Sequence, residues 1–427
     1  MDPLAHTLVG ASLAETGLKR LTPLATAALV VGANLPDVDA IIYLMDDDLS
    51  LAVRRGWTHG VLAMAAWPCL LAGALVAFDR LVGRRWHPAA ARARYGPLLL
   101  LSAIAVLSHP SLDLLNAYGI RLLMPFDGRW FYGDTLFIVD PWLWLLGGAG
   151  AALAPSRGVI LAGAWLGLAA ATTGLVLVSP AVPAPARGVW IGAVCLMVAV
   201  RLAARDAGIA RRVARICVAL AICYIGMMRL GTLAAERRAA GWLASAGIDP
   251  IEIAALPVPA DPFVRDVIAR GKDRYHFVRI GWLDGRAGFS ARPAPVGERT
   301  PVIEAALASP TVRGLRTWMR YPSYDVLTSG DGYRVFITDV RFWRPGGPRT
   351  DGFGRAVVEL DAGLRLRLPQ ASPGRATAAR ARTHPCVGPL LQPALHDRRP
   401  TRTDHPERTQ ESPWTHSFTT CALRCAR

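Results

Sequence analysis

Six side chains of metal-ligand type, His6, Asp37, Asp39, His59, His109 and Asp113, lie in or beside apolar stretches near the start of the chain. Ionisable groups in hydrocarbon are costly, and they usually face a cavity that serves a site. Three imidazoles and three carboxylates make a mixed nitrogen and oxygen set suited to zinc, manganese or iron. The set is large enough for one divalent ion or a bridged pair. The expected chemistry is activation of water against a phosphoester or similar bond, with zinc as the leading ion and Asp37 and Asp113 as the catalytic carboxylates.

The spacings refine this expectation. His109 and Asp113 stand four apart in His-Pro-Ser-Leu-Asp, which puts both on one face of a helix. The Asp then ligates beside the His or orients its ring; the plainer alternative is a helix-end His capped by chance. Pro110 would kink such a helix. Asp37 and Asp39, two apart, would diverge by about 200° on a regular helix. Pro36 disfavours helix at Leu35, so an unwound stretch is expected there; the alternative use of these carboxylates is helix capping. Thr58 reads as the N-cap of the helix that His59 opens.

These groups must be held by membrane helices. Of 427 residues 52% are hydrophobic and 19% charged, against roughly 25% charged in soluble domains. Apolar segments recur at 3–17, 23–44, 58–78, 97–115, 141–154, 158–178, 188–203 and 213–231, which predicts about eight hydrophobic helices. The segment at 3–17 is short, so a re-entrant or interfacial course is its alternative. The net charge of +16 lies largely in short loops between these segments and in the C-terminal sixty residues. That distribution sets topology and argues against a nucleic-acid partner. Cys69, Cys195, Cys217 and Cys223 fall in apolar segments, and no CxxC pair has zinc-finger spacing. The start lacks a basic n-region, so no cleavable signal peptide is expected.

Basic residues at 19–20, 79–94, 156–157 and 201–215 follow every second segment. One orientation, with those loops cytoplasmic, satisfies them all and places both chain ends outside. All six His and Asp residues then fall at the outer side, at one depth, which predicts that they converge. Asn116, Tyr118 and Asp140, in or at the end of the loop 116–140, are the expected substrate contacts.

The chain divides into a transmembrane helical domain (1–235), a small α+β periplasmic domain (236–367) and a tail (368–427). In the second part, 275–280, 332–342 and 354–361 read as strands, Asp284-Gly285 as a hairpin turn and 300–308 as a helix. The tail is rich in Arg, Pro, Thr and His without hydrophobic period. It reads as disordered or as a frameshifted end, and no role is assigned to His384, His396, His405 or His416.

Several runs resemble the LexA-regulated, membrane-bound family of predicted metal-dependent hydrolases. They are His6-Thr7 with Gly10, Pro36-Asp37 with Asp39, Arg55-Gly56-Trp57-Thr58-His59, and His109 with Asp113. The block Asp113-Leu114-Leu115-Asn116-Ala117-Tyr118-Gly119 through Pro125-Phe126 to Ile138-Val139-Asp140-Pro141 adds to them. The resemblance is firm over about 1–145 and does not extend to the tail. It implies a bacterial inner-membrane protein with hydrolase activity.

The resulting expectation is an inner-membrane metal-dependent hydrolase opening to the periplasm and acting on lipid or lipid-linked phosphoesters. The rival is a transporter or metal-handling protein that uses the same pocket for ion relay. A third reading is a non-catalytic envelope module whose outer domain recruits a partner. Composition and spacing fix no oligomeric state.

Overall fold

The computed structural model describes residues 1–44, 47–86, 88–153, 159–203, 207–343, 345 and 352–367. The tail 368–427, with its four histidines, lies outside the described residues.

The first helix, α1 (Pro3–Glu15), starts where its sequence provides a start signal. Asp2 caps it by accepting from the Ala5 N–H, and Pro3 takes the position where a missing N–H costs nothing. After α2 (Ala25–Gly32) the backbone bends by 47° into a 3-10 segment, Leu35–Leu44. The stretch around Pro36 is thus a 3-10 helix rather than unwound, and the carboxylates Asp37 and Asp39 sit on its tighter turn. A short α3 (Asp47–Val53) and a 3-10 turn (Trp57–His59) lead into α4 (Val61–Phe78). The N-cap of α4 is Gly60, without a side-chain cap, so Thr58 does not play the capping role expected of it. A π-turn (Asp79–Gly83) and α5 (Arg84–Trp86) extend α4. Helix α6 (Tyr95–Leu114) runs on through Pro110 and carries both His109 and Asp113. Then come α7 (Pro141–Ala152), α8 (Val159–Val178), α9 (Ala184–Ala203) and the 39-residue α10 (Ala207–Ser245).

Among the described residues, five helical stretches are long and apolar enough to cross a bilayer: Val61–Trp86, Tyr95–Leu114, Ile160–Val178, Ala184–Leu202 and Gly208–Ser245. The bent pair at 25–44 makes a sixth if it counts as one span. The expected eight crossings are therefore not reached. Helices α1 and α7, with 13 and 12 residues, fall short of the roughly 20 that a hydrocarbon core requires. Large apolar side chains on the longer helices stay uncovered, among them Ile160, Val178, Leu202 and Leu230, as suits surfaces solvated by lipid.

Glycine sets the approach of the first helices. A Cβ on Gly10 would stand 2.6 Å from the Leu29 carbonyl oxygen, and one on Gly32 would stand 2.8 Å from the Ala105 Cβ. Such close crossings bring α1, α2 and α6 together by backbone packing, the usual route where lipid removes the hydrophobic drive.

The remainder is built on two antiparallel sheets. The first is a meander of β1 (Glu252–Val258), β2 (Asp261–Arg270), β3 (Arg274–Gly281) and β4 (Ala287–Pro295). Helices α11 (Pro301–Leu307) and α12 (Arg313–Trp318) follow, then a second meander of β5 (Pro322–Ser329), β6 (Gly332–Asp339) and β7 (Arg355–Asp361). The expected strands appear as β3, β6 and β7, the hairpin turn joins β3 to β4, and the expected helix is α11. Strands β1, β2, β4 and β5 carry no clear alternation and were not anticipated. Tyr275, Phe277, Tyr321 and Val340 bury a shared core between the sheets.

Gly10→Val should lose about 1–3 kcal/mol through overpacking against backbone that cannot retreat. Thermal or chemical unfolding in detergent measures it. Gly73→Ala, where an added Cβ meets nothing within 4 Å, should be neutral or stabilising by up to about 1 kcal/mol.

Candidate metal centre

Four of the six anticipated side chains converge. One ligand atom each from Asp37, His59, His109 and Asp113 lies within 4.8 Å of the other three. His59 and His109 point their Nε2 atoms at each other, 3.1 Å apart. Asp113 Oδ2 stands 3.4 Å from the first and 3.5 Å from the second. Asp37 Oδ1 is 3.7 Å from both. Apart from Asp37, whose side chain is 8% exposed, these side chains are fully buried.

Hydrogen-bond partners decide which nitrogens carry protons. His109 Nδ1 lies 2.6 Å from the Ala33 carbonyl oxygen, which can only accept, so Nδ1 holds a proton, and in the neutral ring Nε2 presents a lone pair. The Thr58 hydroxyl donates to Asp39 Oδ2 at 2.8 Å, leaving its oxygen to accept from His59 Nδ1 at 2.9 Å. In the neutral ring His59 Nε2 is then also a lone pair. Two neutral rings so placed repel, and either a shared proton or a bound cation relieves them. Asp113 Oδ2, buried and without a hydrogen-bond partner, adds a third electron-rich atom to the same spot. A buried pocket built this way could hold a metal ion. The separations also fit one: ligand atoms about 2.0–2.1 Å from a tetrahedral zinc lie roughly 3.3–3.4 Å apart.

Asp39 and His6 stand beside this group rather than in it. Asp39 lies behind His59, 3.4 Å from Nδ1, and also accepts from the Arg55 N–H at 2.9 Å. That is the carboxylate–histidine arrangement that fixes ring orientation in metal sites. His6 stacks on His109 with ring centroids 3.8 Å apart and bonds Asp113 Oδ1 at 3.2 Å.

Two arginines complete the site, and the sequence reading gave them no role in it. Arg54 donates to Asp37 Oδ1 at 2.6 Å and to the Tyr43 hydroxyl at 2.9 Å. Arg55 donates to Asp113 Oδ1 at 3.0 Å. Asp113 is thus partly neutralised through Oδ1 while Oδ2 faces the histidines, whereas in Asp37 the one oxygen, Oδ1, both takes Arg54 and faces them. The Met1 amino group also contacts Asp113 Oδ1.

The residues expected to contact substrate are engaged otherwise. Asn116 Oδ1 accepts from Arg55 at 2.9 Å and from the Tyr118 N–H at 2.9 Å. The Tyr118 ring lies 4.6 Å from the Arg55 guanidinium and packs into the core of the sheet domain. Asp140 caps α7 through the Trp142 and Leu143 N–H groups and accepts from the Tyr224 hydroxyl at 2.9 Å.

Fold and site together define a polytopic helical membrane protein with a buried His and Asp cluster, continued by a two-sheet domain. Residues 1–182, which contain all six His and Asp residues, match the family model described as YdjM inner membrane protein. The description carries the membrane placement and no activity. A segment of 155 residues is 25% identical to "Uncharacterized protein YfhP" of Bacillus subtilis (strain 168). The match covers 34% of this chain and 43% of that protein, so the chain spans less than half the length of the relative it matches. No solved structure matches.

Thr58→Val keeps the shape and removes the hydroxyl shared by Asp39 and His59. It should cost about 1–3 kcal/mol, the penalty for leaving buried polar atoms unpaired. Chemical denaturation in detergent should detect it; an unchanged midpoint would show that the hydroxyl supports neither group.

Proposed function

We propose that this protein is an inner-membrane, metal-dependent hydrolase acting on lipid or lipid-linked phosphoesters, with its site facing the periplasm. The observation that carries the reading is the pair of facing Nε2 atoms beside the unpartnered Asp113 Oδ2. Asp37, His59, His109 and Asp113 would hold one divalent ion, zinc for preference. A bridged pair is disfavoured because Asp113 Oδ1 already takes donors from Arg55, His6 and Met1. When bound, such an ion supplies Lewis acidity and makes a water acidic enough to act near neutral pH.

The remaining work falls to the chain. Asp113 and His109 project from one helix face and anchor the site. Asp39 and Thr58 keep His59 in the tautomer that presents Nε2. Asp37, the one partly exposed member of the group, would serve instead as general base where it leaves the ion to the other three, which frees the fourth position for water. Arg54 pairs directly with Asp37. The ends of helices long enough to span a bilayer surround the site, which favours a substrate whose scissile bond lies at lipid headgroup depth.

The wild-type protein, purified in detergent, should carry one equivalent of metal by elemental analysis. His109→Ala should lose both metal and phosphoesterase turnover, since water filling the open position does not anchor the ion. Asp39→Asn, behind the ligand rather than on the ion, should weaken metal affinity by about 10–100-fold. Full occupancy in His109→Ala would refute the ligand assignment. Metal-dependent flux into vesicles without hydrolysis of any lipid phosphate would transfer the pocket to ion transport.

The orientation is tested separately. In a cysteine-free background, single cysteines within 79–94 should resist an impermeant maleimide in intact cells, while Arg286→Cys on the sheet domain should react. The opposite pattern would turn the molecule over.

A further inference from the structure

We propose that the two-sheet domain is a positioning element for the buried centre, acting through Trp318 and Arg341 on the loop that holds Arg55. The inference rests on the metal-site reading for its consequence, though not for its geometry.

Arg55 is the link. Its backbone sits at φ +54°, a left-handed conformation that a long side chain adopts only where its surroundings enforce it. The surroundings do: its N–H donates to Asp39 at 2.9 Å and its carbonyl accepts from the Arg121 N–H at 2.9 Å. The buried guanidinium reaches Asn116 Oδ1 at 2.9 Å, the Gly119 carbonyl at 3.4 Å and Asp113 Oδ1 at 3.0 Å. Its grip on Asp113 leaves Oδ2 facing the histidines. Where Arg55 sits therefore depends on where the loop 116–119 sits.

The sheet domain holds the two residues between those acceptors. Trp318 Nε1 donates to the Tyr118 carbonyl at 3.0 Å, and Arg341 donates to the Ala117 carbonyl at 2.5 Å. Arg341 is itself fixed by Asp339, which accepts from its Nε at 3.0 Å and from an Nη at 2.7 Å. The Trp318 ring supports the Tyr118 ring at 5.0 Å, and the Tyr118 ring in turn faces the Arg55 guanidinium. The other flank is fastened as well. Asp48, in α3 just ahead of Arg54 and Arg55, accepts from the Gly314 and Leu315 N–H groups of α12 at 2.6 and 2.9 Å. One short element, α12 with Trp318 at its end, thus grips the chain on both sides of Arg55.

The test uses the full-length chain in detergent, with Co2+ as the probe ion. Trp318→Phe keeps the ring and removes the donor to Tyr118. It should weaken Co2+ binding by about tenfold, in the range seen when indirect supports of metal ligands are lost, and shift the visible ligand-field bands. In the metal-free protein it should speed amide exchange across 116–121. Arg55→Lys should weaken binding too, and the double variant should be no worse than Arg55→Lys alone, because both act through one contact. A purely structural loss at Trp318 would add to the Arg55 effect instead and would overturn the proposal. Trp242→Phe, which packs on Phe289, should leave binding and exchange unchanged. Should the wild type bind no Co2+, the hydrolase reading fails, and exchange at 116–121 decides the positioning role alone. Trp318→Phe with wild-type binding, spectrum and exchange would also overturn it.

Discussion

The Asp113 carboxylate is the point on which the first half of the molecule turns. One oxygen collects cationic and imidazole donors from three parts of the chain, Met1, His6 and Arg55. The other is left bare toward two imidazole nitrogens. A buried carboxylate survives only if its lone pairs are met. The asymmetry of this one is therefore informative: the fold satisfies one oxygen generously and reserves the other. The bend after α2, the 3-10 turn at Trp57–His59 and the close packing at Gly10 and Gly32 all serve to bring partners to that residue.

The centre was legible in part because some of its geometry is local. His109 and Asp113 share a helix face by spacing alone, and polar groups at a common depth in apolar segments pointed to convergence. Asp37 and Asp39 were harder. On the 3-10 turn they end on opposite sides of one imidazole, Asp37 toward Nε2 and Asp39 toward Nδ1. That division between ligand-type and supporting carboxylate follows from where His59 enters, which no local spacing reveals. Arg54 and Arg55 were given no role in the site, because their pairing with Asp37 and Asp113 is a long-range fact. The one local hint was basic side chains two to three residues before a Trp-Thr-His run that ends in the buried His59.

In the second half, strands with alternation or a Gly turn were readable, while β4, with its run of Ala, Gly, Arg and Pro, was not. Asn116, Tyr118 and Asp140, the residues expected to contact substrate, are all buried. Each is occupied in holding structure: a guanidinium, an interface ring and a helix start. The fastening of Ala117 and Tyr118 by Arg341 and Trp318 spans some two hundred residues of sequence. Such pairings leave no periodic trace along the chain.

Helix α10 carries its own implication. Its 39 residues make a rod about 58 Å long, nearly twice the roughly 30 Å of hydrocarbon that it has to cross. Its far end is buried under the first sheet, where Ala235, Ala239 and Leu243 pack on Ala255, Val267 and Val278. A rod seated in lipid at one end and in a folded domain at the other cannot tilt by itself. A change in bilayer thickness, which membrane helices ordinarily absorb by tilting, would therefore load the sheet domain as well as the helix.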